Sequence, residues 1–117
     1  MTTSSTLRAP VPDGFELVED EPQLTLLQRG DLRSPMRIVV RLAEQPPSLD
    51  APRKRALGDV EGVYTIDELD GGSGGPVHVL RAYKLTDRGA IVLEAEAQQE
   101  TGTPDFAAAW SVLEGAR

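Results

Sequence analysis

Residues 90–110 read AIVLEAEAQQETGTPDFAAAW. Ile91, Leu93, Ala95 and Ala97 alternate with Glu94 and Glu96, the two-residue period of a strand with one apolar and one polar side. Further on, Phe106, Ala109, Trp110 and Leu113 recur at helical spacing and form a stripe that has to be covered. Thr103 as N-cap, Pro104 at the first helical position, Asp105 in the first turn and Gly115 past the end predict a helix over TPDFAAAWSVLEG. The sheet is its cover, and the small side chains of Ala95 and Ala97 let Trp110 come close. A strand followed by a helix that folds back on it predicts a two-layer α+β domain.

Outward from this stretch the chain alternates short apolar runs with turn signals. PQLTLLQR (22–29) and PMRIVVRLAE (35–44) read as antiparallel strands, with Met36, Ile38, Val40 and Leu42 on one face and Arg37 and Arg41 on the other. VEGVYTIDELD (60–70), PVHVLRAYKLT (76–86) and AIVLEAEAQQE (90–100) read as a meander joined by GGSGG and a tight LTDRGA turn. SLDAPRKRALG (48–58) reads as a first helix, with Ser48 as N-cap, Gly58 as stop, Leu49 and Leu57 turned inward and the basic PRKRAL run in water. With a short strand near the N-terminus, this gives an antiparallel sheet of about five to six strands and two helices.

The chain has 117 residues, enough for one core and too few for two. The apolar share of 39% is that of an ordinary soluble domain, and no apolar run approaches the ~20 residues of a spanning helix. Nineteen acidic residues against 12 basic ones give a net charge of -7, which repels nucleic acid and anionic lipid. Cysteine is absent, so disulfides, thiolate catalysis and thiolate metal sites are absent with it. The opening MTTSSTLRAP shows no basic stretch leading into an apolar one, so no secretory leader is read there. Residues 1–5 are expected to be a disordered tether ahead of a single domain over 6–117.

Three readings compete for Glu94 and Glu96. Two residues apart on a strand, their carboxylates are about 7 Å from each other, within the range of glycosidase acid/base pairs. A catalytic pair needs a cleft and one raised pKa, whereas the alternation puts both on the wet face. They can instead pair with Arg37, Arg41, His78 or Lys84 on neighbouring strands, or belong to an acidic docking surface. His78, the only histidine, has no Ser or Thr partner arranged as a triad and reads as a half-exposed strand residue. No transition-metal motif reaches a sufficient ligand count. GGSGG lacks the GKS/T of a phosphate loop and reads as a hairpin tip made acidic by Asp67, Glu68 and Asp70. Asp13, Glu19, Asp20 and Glu21 surround a turn without the spacing of an EF-hand. No catalytic residue and no resident cofactor or metal are expected; calcium enters only at a partner interface. The candidate partner-binding set is Asp13, Glu19, Asp20, Asp67, Glu68, Asp70, Glu94 and Glu96.

The order of a short strand running into VPDGFELV, two strands, a helix opened by Ser-Leu, a strand, Gly-Gly-Pro with a strand, then a strand and a helix with Phe, Trp and Leu resembles the PsbP/DcrB-like fold. In size, acidity and the opening TLRAPVPDGFELVED, the chain is similar to the periplasmic immunity proteins that bacteria with type VI secretion systems carry against their own peptidoglycan-cleaving effectors. The likeness is to the Pseudomonas type that is paired with a muramidase. It implies a non-enzymatic inhibitor docked over the groove of a cognate muramidase effector in the periplasm, its lipid-anchored leader not being part of this chain. An adaptor or chaperone of the same fold, binding an effector segment, is the alternative, and it would expose an apolar groove.

Overall fold

The computed structural model describes residues 7–19, 23–30, 35–72, 75–99, 102 and 104–117. Seven strands and one helix follow in chain order: β1 (Phe15–Glu19), β2 (Leu24–Gln28), β3 (Arg37–Ala43), β4 (Arg53–Leu57), β5 (Val60–Leu69), β6 (Val77–Thr86), β7 (Gly89–Gln98) and α1 (Ala107–Gly115). They form a single antiparallel sheet in the order β1-β2-β3-β7-β6-β5-β4. The long β7 is therefore central, between β3 and β6, and its two-residue rhythm organises both faces.

On one face Ile38, Val40, Leu80, Ala82, Ile91, Leu93 and Ala95 are buried beneath Ala109, Trp110, Val112 and Leu113 of α1. The leucine, isoleucine and valine side chains among them stabilise by about 1.5–3 kcal/mol each when fully withdrawn from water. Trp110 meets Tyr64 edge to face with ring centroids 4.9 Å apart. The guanidinium of Arg55 lies over the indole at 4.6 Å, so its stem also shields the ring. The segment before β1 joins this layer: Leu7 and Ala9 pack on the core, and Arg8 and Arg117 exchange two main-chain hydrogen bonds of 2.7 Å each. Residues 1–5, expected to be a tether, lie outside the described residues, as does position 6.

Two expectations about architecture are corrected. The sheet has seven strands, not five to six, and among the described residues there is one helix, not two. The expected first helix is absent because RKRAL (53–57) forms β4 instead. Arg, Lys, Ala and Leu favour a helix locally, but Pro52 and the left-handed backbone of Ala51, at φ 46°, interrupt it before the first turn. Gly58, at φ 64°, then supplies the first central position of a two-residue hairpin that pairs Leu57 with Val60. Of the expected helix only the inward Leu57 survives as a core residue. Leu49 sits half-buried on the opposite face of the sheet.

The C-terminal helix forms, shorter than expected. It starts at Ala107, with Pro104 outside it, and Asp105 Oδ1 accepts the Ala107 N–H at 2.9 Å. Thr103, the expected N-cap, lies outside the described residues. At the other end, the Glu114 carbonyl accepts from Lys84 Nζ at 2.9 Å, a cation on the carbonyls that a helix C-terminus leaves unpaired.

Lys84 is 6% exposed. Burial disfavours its charged form and lowers its pKa from the ordinary 10.5; Glu114 opposes this shift and Arg117 adds to it. A lysine so shifted loses its proton in the folded state before the unfolded one. Its contribution to stability therefore rises with pH between the lowered value and 10.5. The stability of the wild type relative to Lys84→Met should accordingly climb with pH over that window, as measured by urea titrations at stepped pH. A gap that stays flat or falls would refute this.

Candidate functional site

β3 ends in the middle of the sheet and β4 lies at its edge, so residues 44–52 must travel four strand spacings, about 19 Å, well within their reach of about 30 Å. They cross the face opposite α1. Pro47, Ser48 and Leu49 line one cavity with Val39, Val92, Glu94 and Arg81, and Asp50 and Ala51 line another with Thr65 and Asp67. This strap explains why Val92, on the side expected to be wet, is 7% exposed. The face expected to be open is thus partly covered.

Glu94 and Asp67 share one cation. Arg81 Nε lies 3.2 Å from Glu94 Oε2 and Arg81 Nη1 lies 2.9 Å from Asp67 Oδ2, so one guanidinium ties β5, β6 and β7 together. The side chains of Arg81, Asp67 and Glu94 are 41–51% exposed, which holds each pair to about 0–1 kcal/mol. Their value is positional: the shared guanidinium biases the two carboxylates toward one place on the sheet. Glu96 is half-buried and lies directly opposite Arg37 in the register.

None of the four partners expected for the glutamates forms an ion pair with them among the described residues; Arg81 does. Lys84 and His78 are on the helix-covered side. His78 is 3% exposed, not half-exposed, and its Nε2 has no hydrogen-bond partner among the described residues. The cavity of about 490 Å³ beneath the strap is lined by Arg37, Arg41 and Arg81 against the single carboxylate of Glu94. The charge on this face is therefore mixed, with guanidinium groups toward β3 and carboxylates toward β5.

The other expected acidic residues are dispersed. Asp13 is exposed in the turn that enters β1. Glu19 Oε1 accepts from Thr25 Oγ1 at 3.3 Å on the strap side of the sheet. Asp20 lies outside the described residues. Asp70 Oδ1 accepts the Gly72 N–H at 3.1 Å, so that carboxylate shapes its own turn. Glu68 is exposed opposite His78 on β6. The hairpin tip is tethered: Gln98 Nε2 donates to the carbonyls of Gly71 and Gly75 at 2.7 and 2.8 Å. The structure therefore brings Asp67 and Glu94 together, turns Glu68, next to Asp67 on β5, to the other face of the sheet, and leaves Asp13 and Glu19 apart.

Among the described residues, no three His, Asp or Glu side chains gather in a way that could hold a metal ion, and no helix is long and apolar enough to cross a membrane. Sequence reading missed Arg81, the strap and its Asp50. A signal for Arg81 was present: counting back from the two-residue Asp87-Arg88 turn sets Arg81 opposite Glu94.

A sheet backed on one side by a helix, with its charges tied together across strands on the other, has the build of a recognition domain. Comparison with known proteins gives the class: a family model described as the type six secretion immunity 3 domain, Tsi3, matches residues 9–117. The chain belongs to this Tsi3 family of type VI secretion immunity proteins. It is 39% identical over 106 residues to the immune protein Tsi3 of Pseudomonas aeruginosa, an alignment that spans 91% of this chain and 72% of that protein. An immunity protein has an effector as its counterpart.

Proposed function

We propose that this immunity protein neutralises a secreted cell-wall-cleaving effector, a muramidase, by docking over its active-site groove in the periplasm, with no chemistry of its own. The observation that carries the reading is the pair Asp67 and Glu94, fixed by one arginine on adjoining strands of a rigid sheet. Carboxylates held in this way lose little side-chain entropy on binding and steer toward a groove that handles charge or holds a cation. Glu96 extends the same face, and Glu68, turned to the other side of β5, is retained with Asp13, Glu19, Asp20 and Asp70 as a further contact. Calcium, where it takes part, belongs to the partner's groove. The PsbP/DcrB-like kinship is part of the same proposal, supported by the C-terminal helix laid across one face of an antiparallel sheet.

The adaptor reading requires an apolar groove. The large cavity sets Arg37, Arg41, Arg81 and Glu94 among Val39, Leu49 and Val92, and this mixed, charged lining favours a charged partner surface over an apolar segment. The test uses the purified chain as bait for secreted proteins of the same bacterium, followed by release of soluble fragments from peptidoglycan by the captured protein with and without the chain. Suppressed release supports the proposal. Capture of a protein that does not cleave the cell wall, unchanged release, or hydrolysis by the chain alone would overturn it.

The double charge reversal Glu94→Lys and Glu96→Lys should weaken inhibition roughly tenfold, mainly through slower association. Because Glu94 is exposed, its ion pair with Arg81 is weak and Glu96 is only half-buried, Tm should move by less than about 4 °C. An unaltered inhibition constant removes the two residues from the interface.

A further inference from the structure

β4 is shorter than the strand it borders. Its first residue, Arg53, lies opposite Tyr64, so β5 continues from Thr65 to Leu69 with β6 on one side and no strand on the other among the described residues. Alternation determines which groups are left open. Leu57 and Val60 close a two-residue turn and so exchange main-chain hydrogen bonds; from there every second residue of β5, Gly62 and Tyr64, bonds toward β4, and those between bond toward β6. Continued along the strand, the N–H and C=O groups of Ile66 and Glu68 point to the unoccupied side.

This stretch lies along a groove of about 370 Å³, bounded across from β5 by Asp50 and Ala51 of the strap and closed by Arg53. His78 lines it too, with its Nε2 buried and unpartnered among the described residues. Ile66 and Leu69 are 41% and 49% exposed. The neighbouring edge carries Arg53, Lys54 and Arg55, charges that discourage pairing, and the edge strand β1 has a register shift between Leu17 and Glu19. Beyond Arg53 at its near end, the segment Thr65–Leu69 has no basic guard, and its pairing with β6 has no shift.

We propose that Thr65–Leu69 is a strand-addition site that takes an extended basic segment of the effector as an eighth strand. Main-chain hydrogen bonds to Ile66 and Glu68 hold the incoming segment, and Asp50, Asp67 and Glu68 select Lys or Arg along it. The same charges disfavour a second copy of this chain, since edge-to-edge pairing would set these acids against their duplicates in a protein of net charge -7. The choice of occupant rests on the proposed effector binding; the open edge does not.

The test titrates the isotopically labelled full chain with the capped heptapeptide Lys-Val-Lys-Val-Lys-Val-Lys. The control is Lys-Pro-Lys-Pro-Lys-Pro-Lys, equal in charge but unable to run as a strand. The amides of Ile66 and Glu68 should shift and exchange more slowly with the first peptide, and the second should bind at least tenfold more weakly. Ile66→Pro removes an N–H that is outside the ladder, so it should leave the fold intact and weaken binding about tenfold, whereas Ile66→Thr should not. Equal response to both peptides, shifts confined to other elements, or no binding would overturn the proposal. Neutralisation of an effector with these two amides unmoved would remove the strand site and leave the function standing. Responsive amides without any effector would do the reverse.

Discussion

Trp110→Ala is expected to cost about 3–5 kcal/mol, a large share of the 5–15 kcal/mol that holds a domain of this size together. The indole is 7% exposed and closes the space between α1 and the sheet. Its removal leaves a hole that the rigid β7 cannot fill, takes the edge-to-face partner from Tyr64 and strips the surface on which Arg55 rests. Urea titration should show a lower midpoint at an unchanged slope. Arg55→Ala is the internal comparison: it removes the cation over the ring and the stem that shields it, leaves the indole in place, and should cost about 0.5–2 kcal/mol. A loss below about 1 kcal/mol for Trp110→Ala would mean that the helix is not anchored to the sheet through this ring.

Gly89→Ala should cost about 2–4 kcal/mol, from two sources that can be separated. At φ 124° the backbone of Gly89 is in a region that side chains rarely enter, and an added Cβ would run into the carbonyl oxygen of Ala43 at the end of β3. The turn it belongs to is already wired, with Thr86 Oγ1 donating to the Gly89 carbonyl at 2.9 Å and accepting from Arg88 N–H at 3.1 Å. Gly58→Ala isolates the conformational part: φ is 64° there, but an added Cβ meets nothing within 4 Å, so a loss of about 1–2 kcal/mol is expected. Equal losses at the two positions would show that the approach of Ala43 carries no weight.

The strands of the C-terminal meander were legible because their alternation is long and their turns are short. The runs read at 60–70, 76–86 and 90–100 correspond to Val60–Leu69, Val77–Thr86 and Gly89–Gln98. Met36, Ile38 and Val40 are buried and Arg37 and Arg41 exposed, as the period of two requires. β4 was not legible because its residues are good helix formers, and what makes them a strand is the unpaired side of Val60–Tyr64, a tertiary demand that local propensity does not register. The same failure hid the strap, since a chain read as a helix does not have to cross a sheet.

For the candidate site, the sequence separated polar from apolar sides but not one face from the other on β6. His78 and Lys84 look like solvent-facing residues in PVHVLRAYKLT, yet they share their side with Leu80 and Ala82. Their polar atoms are at the margins of the helix-covered layer, where Lys84 finds the end of α1. Arg81, set between Leu80 and Ala82, is the one that turns to the carboxylates.

The reciprocal pairing of Arg8 and Arg117 sets the two ends of the described fold side by side. Joining position 117 to position 7 through a few glycines would therefore need little loop closure, and the backbone could be reopened at Asp87-Arg88 to give a circular permutant with the same sheet. In such a molecule β6 and β7 would no longer be consecutive. Whether their register survives without the turn would separate what the hairpin imposes from what the packed layer imposes.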